Sequence, residues 1–178
     1  MKLLSKTASL VIIIILFAAI LMQSCSDDNI FNLNFDDAPA PFDTSQAVRN
    51  STIAGNIKIF ILEEGEGPFD VVSKDAILVE FTGRTESGQI FDSSFNNRSP
   101  STSRVLANLT PNAIPGRNGP ISPLVEGFRK GLLGMKEGEI RTIVVPPDMG
   151  YDDSRPGTNG FNLRDETLTY DVELIDLR

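Results

Sequence analysis

Val79-Glu-Phe-Thr-Gly-Arg-Thr-Glu-Ser-Gly-Gln-Ile-Phe-Asp-Ser-Ser94 holds the clearest pattern in the chain. It continues Ala76-Ile-Leu-Val-Glu-Phe-Thr82, in which Ile77, Val79 and Phe81 fall on one side of an extended segment and Glu80 and Thr82 on the other. Successive side chains of a strand point to opposite faces, so one face of this strand meets a core. Gly83 to Gly88 supplies turn residues and Gln89-Ile-Phe-Asp92 resumes extended structure. The stretch predicts a β-hairpin.

On either side the same reasoning finds further strands. Asn56-Ile-Lys-Ile-Phe-Ile-Leu62 is rich in β-branched residues and stops at Glu63-Glu-Gly-Glu-Gly67. That glycine pair is no nucleotide loop, because the third glycine and the helix after it are missing. Ile140-Arg-Thr-Ile-Val-Val-Pro146 is a strand halted by Pro146-Pro147. In Thr167-Leu-Thr-Tyr-Asp-Val-Glu-Leu174, Leu168, Tyr170, Val172 and Leu174 point one way and Asp171 and Glu173 the other, the signature of a half-buried strand. One segment suits a helix, Leu124 to Leu133, where Leu124, Phe128 and Leu132 recur at four-residue spacing and Gly134 offers a left-handed stop. Gly127 and Gly131 weaken it, so burial of Phe128 against the sheet has to hold it. Antiparallel strands with one short helix make an α+β domain.

Composition narrows the chemistry. The chain has 178 residues, 40% hydrophobic and 22% charged, enough for one domain and a tail. It has no histidine, which excludes an imidazole base, a Ser-His-Asp triad and a His-ligated metal. Its one cysteine, Cys25, permits neither an internal disulfide nor a Cys-cluster zinc site, so no metal and no cofactor is expected. With 16 basic against 24 acidic side chains it repels a phosphate backbone, and no nucleic-acid partner is expected.

The N-terminus reads as an address. Lys2 and Lys6 precede an apolar run, Leu10 to Met22, which predicts a signal peptide over residues 1–24. The alternative is an uncleaved membrane helix, for which the run is short against the roughly 20 residues that span a bilayer. Leu21-Met-Gln-Ser-Cys25 resembles a relaxed lipobox, which implies acylation of Cys25 and a lipid anchor in the cell envelope at the outer membrane, either periplasmic or surface-exposed. Ser26-Asp-Asp28 looks like the acidic export signals of some surface lipoproteins. Residues 25–52 are rich in Asp, Asn, Ala and Pro without a sustained period, and read as a flexible tether reaching roughly 25–30 Å. The folded domain is placed at 53–178.

The hairpin resembles that of the FKBP-type peptidyl-prolyl cis-trans isomerases, V-x-Y/F-x-G followed by D/S-G-x-x-F-D-S-S. Three later stretches are similar to the family in the same order: Val125-Glu-Gly-Phe-Arg-Lys-Gly-Leu-Leu-Gly-Met-Lys-Glu-Gly138, Val145-Pro-Pro-Asp-Met-Gly-Tyr151 and Thr167 to Leu174. Together they cover the chain from about Ile57 to its end. The resemblance implies a curled antiparallel sheet wrapped around one short helix, with an aromatic pocket between them. It implies catalytic roles for Asp92, Tyr151, Phe91 and Phe128, and substrate contacts from Phe81, Leu124, Val125 and Tyr170, the Val125 backbone N–H binding a carbonyl. Each ring has a plainer reading as core, which Phe81, Phe128 and Tyr170 satisfy on any fold of this pattern.

The implied activity is prolyl isomerisation, by a monomer, of proline-containing clients among exported proteins. The alternative is an FKBP-fold binding module with little or no turnover; a structural or adhesive surface lipoprotein is a third reading. The chain departs from the family at Phe81, where many members have tyrosine, leaving Arg98 as a candidate donor to Asp92. It also departs at Phe128, where tryptophan is common, and at Asn162-Leu-Arg-Asp-Glu166, where Ile-Pro-Pro is usual. The segment 95–123 is longer than the family's loop and holds prolines 100, 111, 115, 120 and 123, which predicts irregular structure beside the pocket.

Overall fold

Among the described residues, seven strands build one antiparallel sheet: β1 Arg49–Ile53, β2 Ile57–Glu63, β3 Ala76–Arg84, β4 Ile90–Ser93, β5 Val105–Asn108, β6 Ile140–Val145 and β7 Leu168–Leu177. The one α-helix among them, α1 Glu126–Leu132, packs on it. The computed structural model describes residues 34–96, 104–116, 119–158 and 160–177. The leader 1–24, Cys25 and Arg98 lie outside the described residues.

The strand order is β1-β2-β6-β7-β3-β4, with β5 also on β3. The far edge of β3 is therefore shared: β5 pairs with Ala76 to Val79 and β4 with Thr82 to Arg84. Between them, serines replace the ladder. The Phe81 N–H donates to Ser94 Oγ at 2.9 Å, and the Phe81 carbonyl accepts from the Ser94 N–H and the Ser93 hydroxyl, each at 3.0 Å. These bonds satisfy backbone groups that a missing strand segment would leave bare.

Alternation gives the sheet two faces. Ile57, Ile77, Val79, Phe81, Ile143, Val145, Leu168, Tyr170, Val172 and Leu174 form the core together with Phe128 and Leu132 of α1. The helix ends where expected, with Gly134 at φ 75°. Its glycines have a packing reason. A Cβ on Gly127 runs into Val145 and one on Gly131 into Ile143, so the helix backbone lies directly on β6. Arg141, inward-facing on β6, explains the rest of the contact: Nη1 donates to the Gly131 carbonyl at 2.6 Å, and Nε donates to buried Glu139 at 2.7 Å. The last helical carbonyls, which have no intrahelical partner, thus meet a fixed cation.

Three departures from the sequence reading concern long-range contacts. The sheet begins earlier than residue 53, because Arg49–Ile53, polar and exposed, pairs in full with β2. Part of 95–123 is regular, since β5 lies in it and Ile114 bridges Ile121. Finally, Asp171 is buried although its neighbours in sequence mark it as solvent-facing. The cause is the segment Pro39 to Phe42, which crosses the outer face of the sheet: the Phe42 N–H donates to Asp171 Oδ2 at 3.2 Å and Arg84 donates to the Pro39 carbonyl. Phe42, read as a residue of the tether, lines clefts on this face with Phe60, Thr142 and Val144 on one side and Phe95 and Glu173 on the other.

Candidate active site

The inner face gathers five rings in a continuous chain. Phe81 and Phe128 lie 5.5 Å apart at 49°. Phe128 stacks on Tyr170 at 4.0 Å and 5°. Tyr170 meets Phe91 edge-on at 5.6 Å, and Phe91 meets Tyr151 edge-on at 6.2 Å. Each element delivers one ring: Phe81 from β3, Phe91 from β4, Phe128 from α1, Tyr170 from β7, and Tyr151 from just beyond the 3-10 turn Pro147–Met149. The two edge-on contacts of Phe91 are of the kind that aromatic quadrupoles favour.

Gly83 makes the gathering possible. It is opposite Tyr170 in the β3–β7 register, and a Cβ there would sit 2.8 Å from Phe91 Cζ and 3.1 Å from Tyr170 Cε1. A side chain at 83 would displace both rings. This gives a packing reason for the glycine in the Val79-Glu-Phe-Thr-Gly83 motif.

The cluster has a buried floor and an accessible rim. Phe128, Tyr170 and Phe81 are 1%, 2% and 7% exposed, whereas Phe91 and Tyr151 are half-buried and Asp92 is exposed. The rings are therefore not sealed into a solid interior; the chain of contacts runs outward from Phe128 through Tyr170 and Phe91 to Tyr151. Leu124 and Val125 are half-buried against the same core, and Val125 is the N-cap of α1 with φ −57° and ψ 149°. The structure joins Phe81, Phe91, Phe128, Tyr151 and Tyr170 in one cluster with Asp92 beside it, and packs Leu124 and Val125 against the core; Arg98 lies outside the described residues.

Electrostatics mark the rim as the polar end. Although Asp92 keeps one side open to water, packing around its carboxyl raises its pKa above the ordinary value, opposed by a hydrogen bond from the Ser93 backbone. Burial also raises the Tyr151 phenol, as does the nearby charge of Asp92. Tyr170 is raised well above 10.0, first by burial and then by Tyr151 and Asp92. Both phenols therefore stay protonated donors at any physiological pH. Phe81 contributes no hydroxyl here; the phenols beside Asp92 are those of Tyr151 and Tyr170. Where the chain departs from the family before β7, a 3-10 turn, Phe161–Leu163, tucks Leu163 against the core and places the Arg164 guanidinium 4.1 Å over the Phe161 ring. Among the described residues, no three His, Cys, Asp or Glu side chains converge as a metal-binding group.

This geometry can be set beside known proteins. The family model for FKBP-type peptidyl-prolyl cis-trans isomerases matches residues 67–175. The chain belongs to this family. Its FKBP domain is 33% identical over 121 residues to the FK506-binding protein of Neisseria meningitidis serogroup A, covering 68% of this chain and 95% of that one. It is 31% identical over 116 residues to the peptidyl-prolyl cis-trans isomerase Mip of Chlamydia trachomatis serovar D, covering 65% of this chain and 39% of the relative. The chain thus spans well under half the length of that Mip protein. In fold it is similar to FkpA from Escherichia coli, with a TM-score of 0.51 at 23% identity, covering 75% of this chain and 54% of that one. The sequence reading did not anticipate that Gly83 lies opposite Tyr170 and leaves room for the Tyr170 and Phe91 rings.

Proposed function

We propose that the chain is a peptidyl-prolyl cis-trans isomerase that assists the folding of exported proteins, held in the cell envelope by a lipid on Cys25. The observation that carries the catalytic part is the five-ring cluster, buried at Phe128 and open at Phe91, Tyr151 and Asp92, in a chain of the FKBP family.

The reaction asks for this kind of site. Rotating a peptide bond breaks amide resonance across a barrier of about 18–20 kcal/mol. For X-Pro the two planar isomers differ by only about 0.5–1 kcal/mol, so the problem is kinetic. The twisted amide has lost its conjugation and is less polar than either planar form. An apolar enclosure therefore disfavours the ground states relative to the transition state. In this reading the proline ring is received at the accessible end of the cluster, by Phe91 and Tyr151, and Phe128, buried and stacked on Tyr170, is the floor that holds those rings in place. The Tyr151 hydroxyl and the Val125 N–H hold the backbone carbonyls flanking the rotating bond, with Leu124 beside them. Asp92 stands at the rim, facing the amide as it leaves the plane. No nucleophile or metal enters, in keeping with a chain that lacks histidine.

The test is a coupled proline-isomerisation assay on the purified chain. Acceleration at micromolar protein is expected, and Tyr151→Phe and Phe128→Ala are expected to reduce it while circular dichroism stays native. Absence of acceleration leaves the alternative reading, a binding module with little turnover, which the smaller Phe128 floor and the Phe81 wall favour. Intact mass of membrane-extracted protein tests the anchor: the lipid reading requires loss of residues 1–24 and added acyl mass on Cys25.

A further inference from the structure

Resting on the isomerase reading, we propose that Gly160 is a positioning residue: its bare backbone is the seat against which the Tyr151 ring lies, and this seat, together with the edge contact of Phe91, holds the Tyr151 hydroxyl where a substrate carbonyl meets it.

Backbone conformation does not explain a glycine at 160. Its φ of −87° and ψ of −6° are the angles of the third residue of a type I turn, which suit most residues. Gly157 differs, since its φ of 85° itself favours glycine. Space explains Gly160. A Cβ there would overlap Tyr151 Cδ1 and lie 2.8 Å from Tyr151 Cε1, with Ser154 Oγ at 2.7 Å. The Ser154 hydroxyl can swing aside about a single bond, whereas the aromatic ring is rigid. Gly160 is buried, so the backbone and the ring close directly on each other.

The sequence in between builds the return. The Ser154 N–H donates to the Tyr151 carbonyl at 2.8 Å, and the Thr158 N–H donates to the Arg155 carbonyl at 3.1 Å. Pro156 and Gly157, at the centre of the second turn, give it the type II pattern. Two turns thus carry the chain away from Tyr151 and bring it back onto the same ring. Past Gly160 the chain is fixed. The Leu163 N–H donates to the Gly160 carbonyl at 3.0 Å, Leu163 packs against the core, and the Arg164 guanidinium covers the Phe161 ring at 4.1 Å. Tyr151 is held more lightly: it is half-buried, follows a 3-10 turn rather than lying within a strand, and has Phe91 edge-on at 6.2 Å. Of the two partners the ring is the one that yields, so a methyl group at 160 moves Tyr151 and leaves the turn in place.

Two measurements test this. In Gly160→Ala, kcat/KM for a proline-containing peptide nitroanilide is expected to fall about three- to tenfold, the scale of one neutral hydrogen bond, while circular dichroism stays native. In a Tyr151→Ala background the same change is expected to cost no further activity and to raise the melting temperature, because alanine suits these angles and restricts the unfolded chain once the ring is gone. An unchanged rate in the single variant, or equal losses in the two backgrounds, overturns the proposal. The second readout is fluorine NMR of the chain labelled with fluorotyrosine, which gives two resonances because the chain has two tyrosines, told apart by Tyr151→Phe. Gly160→Ala is expected to shift the Tyr151 resonance and to leave that of Tyr170, buried against Phe128 and Phe91, in place. A Tyr151 resonance that moves no more than that of Tyr170 shows that Gly160 does not seat the ring. A parent chain without turnover overturns the isomerase reading and the positioning role with it, while the fluorine spectrum still decides whether Gly160 seats Tyr151.

Discussion

Asp171 and Arg84 form a 2.8 Å ion pair on the outer face of the sheet, with side chains only 3% and 6% exposed. The pair is a hub. Asp171 also accepts from the Thr142 hydroxyl at 2.7 Å and from the Phe42 N–H, while Arg84 reaches the Pro39 carbonyl. Burial raises the Asp171 pKa, and the Thr142, Phe42 and Arg84 contacts pull it back. Removing one partner leaves an uncompensated buried charge. Arg84→Met is accordingly expected to lower unfolding free energy by about 3–5 kcal/mol in urea denaturation, and Arg84→Met with Asp171→Leu to recover much of it. A loss below about 1 kcal/mol in the single variant would mean that water reaches the pair.

The segment over that pair stabilises the domain from outside it. Phe42 is half-buried against the sheet, so Phe42→Ala is expected to cost about 1–2 kcal/mol and to raise proteolysis between residues 34 and 46. Unchanged thermal stability and unchanged cleavage would contradict this.

At Gly131 two effects oppose each other. Alanine favours a helix by about 1 kcal/mol over glycine, but its Cβ meets the Ile143 side chain on β6. Overpacking of a close contact costs typically about 1–3 kcal/mol, so Gly131→Ala is expected to destabilise, with Ile143→Val restoring part of the loss. A stabilised Gly131→Ala would place the helix farther from the sheet.

pH dependence follows from the shifted groups. With no histidine, turnover is expected to stay flat between about pH 6 and 8. The Asp92 pKa is raised, so any acid limb in kcat/KM begins above the usual carboxylate value and is expected to vanish in Asp92→Asn. On the alkaline side the folded Tyr170 holds its proton above the unfolded value of about 10. Its contribution to stability is complete below that pH and is lost as pH rises through the folded pKa. Melting temperature is therefore expected to fall above about pH 10, and less steeply in Tyr170→Phe; equal slopes would refute the assignment.

How far the sequence carried depended on the range of each contact. The hairpin at Val79 to Ser94, the alternation of Leu168 to Leu174 and the Phe128 helix are local patterns, and each became an element within a few residues of its expected bounds. The strand Arg49–Ile53 carries no apolar alternation because it is an exposed edge, and Val105–Asn108 is masked by the prolines around it. Asp171 read as solvent-facing because the group that covers it, the Phe42 backbone, lies 129 residues away. The site rings followed from family motifs, but the parallel stack of Phe128 on Tyr170 follows from neither motif nor periodicity.

The shared edge of β3 also bears on self-association. Because β4 covers Thr82 to Arg84, β5 covers Ala76 to Val79 and the two serines close the Phe81 backbone between them, β3 presents no bare N–H or C=O at Phe81 on which a strand of another chain could add. The strands left outermost on this side, β4 and β5, are four residues each, and such short edges offer little purchase for edge-to-edge pairing.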